Sequence, residues 1–406
     1  MQTNMEYRVA RDYLLELVEP IHQMETVPLV EAAGRVLAKD VFAIADVPPF
    51  DRSPFDGYAF RAEDTMKACK DHPVTLRILE EIPAGSMWSQ LVQPGTATKI
   101  LTGAPVPPGA DAIVKYEDTV FTKETVSIFR SFTKDENVVP QGEDVRAGMQ
   151  LAKAGIVIDS ALLGTLAAQH VVRPLVYSIP KVGIITTGSE LAEPGEAISG
   201  GKIVNTNRYT FQAAVKRTGC MPILYPTPGD DPDAISKLMQ EALHSCDLVI
   251  TTGGVSVGDY DFTPDAMERA GAEILIRTLF LKPGGASAYG IQDGKLICGL
   301  SGNPASALTN FYAVVLPALR KLQGRIEPHL TELPVVLAEN FSKKSPKTRL
   351  IRGMLDLSDG TARMHVSKGQ GNGVLHSLIG CDLLAEIPAG SPKLPAGTRL
   401  MAYLIS

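Results

Sequence analysis

The chain has 406 residues, more than one compact core usually holds at about 100 to 200 residues per domain, so two to four domains are expected. Hydrophobic residues make up 45% and charged residues 21%, which excludes a disordered or fibrous chain. A net charge of −6 lacks the basic footprint of a nucleic-acid binder, so an anionic ligand has to be met locally or through metal ions.

The first twenty residues interrupt their apolar pattern with Glu6, Arg8, Arg11, Asp12 and Glu16, which leaves neither a signal segment nor a membrane span. The expected location is cytoplasmic, with no membrane and no nucleic-acid partner. Five scattered cysteines without a CxxC, and seven histidines without an HxxxH, argue against a zinc site and a disulfide framework.

In chain order, Tyr7, Val9, Tyr13, Leu14, Leu17 and Val18 space as one face of a helix stopped by Pro20, and a second short helix is expected near Val30 to Leu37. Between residues 46 and 142 the texture turns to short β-rich runs, Val74 to Leu79, Thr98 to Leu101, Ala112 to Tyr116 and Thr125 to Phe129, cut by proline and glycine turns. A Gly-rich entry and an apolar helix from Ser160 to Gln169 follow. From Lys181 strand and helix alternate, with helices over Arg208–Arg217, Pro232–His244, Pro264–Ala270 and a long one after Pro304, the pattern of a parallel, doubly wound α/β domain. Asp231 before Pro232 reads as a helix cap. After Gly324 come five short strand candidates and no helix of any length, hence a small all-β domain. The expected fold is therefore multidomain α/β plus β.

In an open parallel sheet, ligands bind beyond the carboxyl ends of the strands. Three loops fall there: Thr186-Thr187-Gly188-Ser189-Glu190, Thr251 to Asp259 with Gly253, Gly254 and Ser256, and Ser301-Gly302-Asn303-Pro304-Ala305-Ser306. Each joins glycines, which admit a ligand to the backbone, with hydroxyls that donate to oxyanions. Any one of them is also an ordinary tight turn; three in register favour a ligand. Glu190, Asp230, Asp231, Asp259 and Asp261 lie in or just after these loops and offer hard oxygen donors for Mg²⁺, although each alone equally suits a solvated surface. No GxxxxGK[ST] is present, and the closely spaced Gly369, Gly371 and Gly373 lie in the β-rich tail, which excludes the usual nucleotide loops. Two Pro-stiffened loops, Pro48 to Ala59 and Leu101 to Ala112, display Asp56 and Thr102.

The motifs FDRSPFDGYA, ILTGAPVPPGADAIV, TTGSEL, ITTGGVSVGDYDFT, LKPG and GLSGNPAS, in this order from Pro48 to Ser306, resemble the molybdopterin molybdenumtransferase family, which includes the E domain of gephyrin. The resemblance implies four parts: a discontinuous linker domain of mixed, partly helical structure (24–45 and 143–175), a β-rich inserted domain (46–142), a molybdopterin-binding α/β domain (1–23 and 176–326) and a small β-barrel-like carboxy-terminal domain (327–406). It implies a homodimer that inserts molybdate into the dithiolene of adenylylated molybdopterin, with Mg²⁺ and release of AMP. The partners it implies are a molybdopterin adenylyltransferase upstream and apo-molybdoenzymes or their chaperones downstream. Carried over by position, catalytic roles fall to Asp56, Thr102, Glu190, Asp230, Asp261, Lys282 and Arg352, with Glu190, Asp230, Asp259 and Asp261 about the metal. Thr187, Gly188, Ser189, Gly253, Gly254, Ser256, Gly302, Asn303, Pro304 and Ser306 would bind the pterin. The sequence departs from the family pattern at Thr278 and Gly285, where lysines are common, and at Asn372, where serine is usual. A tungstate-specific insertase and a catalytically weak pterin-binding scaffold are the alternatives these changes allow.

Overall fold

The structure is a computed structural model that describes residues 1–256 and 262–405. It divides into two compact units, one formed by Met1–Lys39, Ala154–Ser160 and Arg173–Ser406, the other by Asp40–Lys153 and Ala161–Val172.

The first unit is built on a seven-stranded sheet in the order Gln2–Met5, Glu273–Leu279, Ser287–Gln292, Lys295–Leu300, Leu248–Thr252, Lys181–Thr186, Met221–Leu224. The last four run parallel to one another. Their sequences are nearly continuous apolar runs because both faces are covered. Side chains alternate across the sheet: Ile184 and Ile250 point to a core shared with Phe211, Phe311 and Val315, while Ile185 and Val249 point to Ile235, Met239 and Met267. The helices Tyr7–Leu17, Thr206–Arg217 and the run from Pro304 cover the first face, and Pro232–Ser245 and Thr263–Arg269 the second. This is the doubly wound arrangement that the alternation predicts.

The sheet is mixed rather than wholly parallel, because Ser287–Gln292 runs antiparallel to both its neighbours. It folds onto Lys295–Leu300 through Asp293-Gly294, whose φ angles of 49° and 77° fit the two-residue turn that matches strand twist. The expected helix near Val30 to Leu37 is only a 3₁₀ turn at Leu29–Glu31; Val36 and Leu37 instead bridge to Val157 and Val176. Val9, placed on the buried face by spacing, is 57% exposed, and Ala10 and Leu15 take the inner positions. The helix from Pro304 passes through a π turn at Phe311–Val315 before Leu316–Leu322. Pro317, which has no N–H to give the carbonyl one turn back, accounts for that irregularity.

The carboxy-terminal strands Thr348–Asp356, Arg363–Val366, Glu332–Leu337, Arg399–Leu404 and Leu383–Ile387 close on themselves, the last pairing with the first, as a five-stranded barrel. Leu350, Leu384 and Tyr403 belong to the same core as the α/β sheet, so the barrel is welded to it. At the weld Tyr7 donates to Glu386 and lies 2.7 Å from the Tyr403 hydroxyl, and Arg8 Nε donates to Glu386 at 2.9 Å. Burial pushes the Tyr7 hydroxyl far above its ordinary value, so it stays protonated and remains a donor.

The second unit carries a six-stranded sheet in the order Ala112–Lys115, Gly57–Phe60, Thr96–Ile100, Val74–Ile82, Thr125–Ile128, Thr119–Phe121, over a core of Tyr58, Phe60, Leu76, Val126 and Phe132. Two small antiparallel ladders, Met24–Thr26 with Leu175–Tyr177 in the first unit and Val41–Phe42 with Gln150–Ala152 in the second, join segments far apart in sequence.

Asp231 caps the Pro232–Ser245 helix by accepting from Asp233 N at 3.0 Å. Asp231→Ala is expected to cost about 1 kcal/mol of stability in a urea titration, and Asp231→Asn to restore most of it.

Candidate active site

Strand register sets the site. Thr186 pairs with Thr252, and Thr252 with Leu300, so the three loops that follow leave the sheet side by side. They enclose a cavity of about 820 Å³ at the carboxyl edge. Of the residues singled out in the sequence, Thr187, Gly188, Glu190, Asp230, Gly253, Gly254, Ser256, Gly302, Asn303 and Pro304 line it. Ser189 stands just behind, its N–H and hydroxyl donating to Asp230 Oδ2 at 3.0 and 2.5 Å. Ser306 is buried outside the wall, where its hydroxyl accepts from Gly284 N at 2.9 Å and its N–H donates to the Asn372 carbonyl at 2.9 Å. Asp259 and Asp261 lie outside the described residues.

The backbone is pressed tight around the cavity. Gly253 has φ 104°, and a Cβ there would sit 2.6 Å from both the carbonyl and the hydroxyl oxygens of Thr187, so only glycine fits. Thr187 N donates to the Thr252 carbonyl at 2.9 Å and locks the first loop to the second.

Several wall residues escaped the sequence reading, among them two asparagines. Asn205 caps the Thr206–Arg217 helix and gives its amide to Thr186 Oγ1 at 2.8 Å. Asn207 donates from Nδ2 to the Gly302 carbonyl at 2.9 Å, tying that helix to the third loop. The Asn-Thr-Asn run before a helix is a capping signal that marked the spot. Asn207 Oδ1 and the Thr252 hydroxyl are buried with no hydrogen-bond partner among the described residues, in two residues that line the cavity. Buried polar atoms of this kind call for a ligand with both donors and acceptors.

The charge on the wall is one-sided. Glu190 and Asp230 are exposed carboxylates, and no lysine or arginine is among the described residues that line the cavity. Lys282 is exposed on the short strand Leu281–Lys282, which pairs with Thr348 and Arg349 of the barrel, and does not line the cavity. Arg352 is fully buried in the barrel, and its guanidinium donates to the carbonyls of Gly369 and Gly371 at 3.1 and 3.0 Å. It therefore holds the loop whose next residues, Gly373 and Leu375, do reach the wall.

The departures at Thr278 and Gly285 have a structural setting. Thr278 takes φ 61°, uncommon for a β-branched residue, with its hydroxyl accepting from Asn4 N at 3.0 Å. At Gly285 a Cβ would lie 2.6 Å from the Leu281 carbonyl oxygen and 2.9 Å from that of Leu279, so this backbone course admits no lysine. Asn372 is exposed.

Asp56 and Thr102 belong to the β-rich unit. Asp56 Oδ1 accepts from Thr102 N at 2.8 Å and from the Thr102 hydroxyl at 2.7 Å. These bonds, the backbone one first, hold the exposed Asp56 carboxyl below the usual range, with a smaller contribution from Lys99.

Comparisons with known proteins agree with this layout. Residues 5–169 match the family described as the MoeA N-terminal region (domain I and II), residues 183–321 the probable molybdopterin binding domain, and residues 334–405 the MoeA C-terminal region (domain IV). A molybdopterin molybdenumtransferase of Staphylococcus aureus strain Mu50 is 35% identical over 372 residues, 92% of this chain and 89% of its own. One from Staphylococcus epidermidis strain ATCC 35984 is 35% identical over 369 residues, 91% and 88% of the two chains. The crystal structure of the molybdopterin biosynthesis moeA protein from Pyrococcus horikoshii OT3 superposes with a TM-score of 0.86 at 32% identity, covering 98% of this chain and 99% of that one.

Gly253→Ala forces an unfavourable φ and a clash with Thr187, and is expected to destabilise the protein by about 1–3 kcal/mol in thermal unfolding. In the β-rich unit, Thr102→Ala removes one of the two bonds to Asp56, so an NMR titration should show the Asp56 pKa rise toward, without reaching, the ordinary aspartate value. Because that pKa is lowered by folding, the contribution of this carboxylate to loop order is present at neutral pH. It disappears as pH falls through the lowered value, and in the variant it disappears at higher pH.

Proposed function

The chain belongs to the molybdopterin molybdenumtransferase family and acts as a transferase in molybdenum cofactor biosynthesis, and on that premise we propose that it inserts molybdate into the dithiolene of adenylylated molybdopterin with Mg²⁺-assisted release of AMP. The observation that carries this reading is the wall with two carboxylates, two unpartnered buried polar atoms and no cation.

A pterin ring presents N–H donors and ring acceptors together, which suits Asn207 Oδ1 and the Thr252 hydroxyl. Thr187, Gly188, Gly253, Gly254, Gly302 and Asn303 bring backbone close enough to orient the ring and its phosphates, and Ser256 and Pro304 complete the wall. Ser189 and Ser306 act one layer out: the first fixes the direction of Asp230, the second the loop at Gly284.

A phosphate ester facing Glu190 and Asp230 alone would be repelled, so these carboxylates fit a divalent cation better than a bare anion. They are hard oxygen donors of the kind that Mg²⁺ takes together with substrate phosphates and retained waters. Glu190 and Asp230 would hold it, with Asp259 and Asp261 supplying further oxygens. Held there, such an ion would supply neutralisation of pyrophosphate charge for the release of AMP. Ser189 aims the Asp230 carboxylate by donating twice to one of its oxygens.

Molybdate is a tetrahedral dianion. This reading assigns it to Lys282, which is exposed although outside the cavity wall, while the buried Arg352 acts through the Gly369–Gly373 loop that it holds. This reading also keeps Asp56 and Thr102 as functional residues of the β-rich unit. The reading also makes the protein a cytoplasmic homodimer, supplied by a molybdopterin adenylyltransferase and emptied by apo-molybdoenzymes or their chaperones. No described helix is long and apolar enough to cross a membrane. The changes at Thr278 and Gly285 favour a second reading, a tungstate-specific insertase or a weak pterin-binding scaffold.

Single-turnover incubation with adenylylated molybdopterin, Mg²⁺ and molybdate is expected to release AMP in step with metal incorporation. Tungstate run in parallel reads the selectivity. Glu190→Gln and Asp230→Asn should each slow AMP release on the order of 100-fold, and a chelator should stop it. Bound pterin with no AMP released by the unaltered protein overturns the transferase step and leaves the scaffold.

A further inference from the structure

Two of the helical runs that start at the active cavity end together at a second, smaller one. The Thr206–Arg217 helix opens at the active cavity with Thr206 and Asn207 and finishes with Arg217; the run from Pro304 opens there and finishes near Arg320. Arg217, Arg320 and Arg325 line a space of about 150 Å³, several times the roughly 30 Å³ that one water occupies in the liquid. Its remaining walls include Phe311, Leu330 and Leu404, the last from the final strand of the barrel.

Three arginines surround one small cavity, and no described acidic side chain compensates them. No carboxylate lines it, and none of the three forms an ion pair among the described residues. The carboxyl ends of the two helices supply about half a negative charge each, which leaves about two positive charges over. Arg320 Nη1 donates to the His329 carbonyl at 2.7 Å and Arg325 Nη2 to the Thr218 carbonyl at 3.1 Å, but Arg325 Nε is buried with no partner among the described residues. Burial pulls Arg320 and Arg325 below the usual guanidinium value, and the charge of Arg325 adds to the effect at Arg320.

We propose that this cavity is a binding site for a small tetrahedral oxyanion of the phosphate or sulfate kind, clasped by Arg217, Arg320 and Arg325 where the α/β domain meets the barrel. Arginine donors match such an oxyanion by geometry as well as by charge. The apolar walls limit the ligand to a compact ion, and the low dielectric they create strengthens each contact. The ion ties together the ends of two helices and the segment that carries Arg325, so its effect is on stability.

The test is thermal unfolding of the whole protein titrated with sodium phosphate, sodium sulfate or sodium molybdate, against sodium chloride at equal ionic strength. A saturable rise in Tm with at least one tetrahedral anion and not with chloride is expected. The apparent Kd should weaken about tenfold or more in Arg325→Gln and in Arg217→Gln, as loss of one charged hydrogen bond implies. Arg217 is exposed, so its replacement leaves packing intact if Arg325→Gln does not fold. A Tm response identical to that with chloride overturns the site. So does a saturable response that both variants keep unchanged, since the ion then binds elsewhere.

Discussion

The in-register pairing of three parallel strands is the constraint on which the rest of the molecule depends. Thr186, Thr252 and Leu300 stand side by side because Val182 to Thr186, Leu248 to Thr252 and Ile297 to Leu300 pair without a break. A shift of one residue would send Ile184 and Ile185 to each other's faces, setting both cores against the change. Hydrophobic burial therefore fixes the position of three polar loops. Thr187 and Asn207 then join the loops to one another by hydrogen bonds to backbone carbonyls, so the wall is preorganised before a ligand arrives.

Much of this was legible in the sequence, for identifiable reasons. Buried parallel strands leave continuous apolar runs, and glycine with hydroxyl residues just beyond them mark the carboxyl edge, which is why Glu190, Gly253 and Asn303 could be placed together. The carboxy-terminal strands announced themselves by alternation and turns, although closure of a barrel depends on pairing between its first and last members, which periodicity does not encode. The reversal at Ser287–Gln292 did have a local signal, the Asp293-Gly294 turn, which the strand and helix alternation outweighed. Gln2–Met5 had none: it is a short polar segment that becomes a strand because the edge at Glu273–Leu279 is there to receive it.

The two arginines on which sequence reasoning and structure bear differently are instructive about charge. Arg352 reads as a ligand for an anion because it is basic and lies in a matching motif, yet the folded barrel buries it and gives Nη2 the carbonyls of a glycine loop, leaving Nε and Nη1 without a partner among the described residues. Arg325 lies outside every motif, and its unpartnered nitrogen is visible only when three segments meet. A cation's role follows from which acceptors packing brings to it, and packing is the part that spacing along the chain conveys least.

The reversed strand also changes what the barrel is to the active site. Between Leu279 and Ser287 the chain leaves the sheet at its carboxyl edge, pairs Leu281 and Lys282 with Thr348 and Arg349, and returns to place Ala286 on the cavity wall. That excursion is a stitch that passes through the barrel and comes back. Gly373 and Leu375, on the barrel side, complete the same wall. The carboxy-terminal domain is thus masonry rather than an appendage, and any lineage that shed it would have to rebuild one side of the chamber from new material.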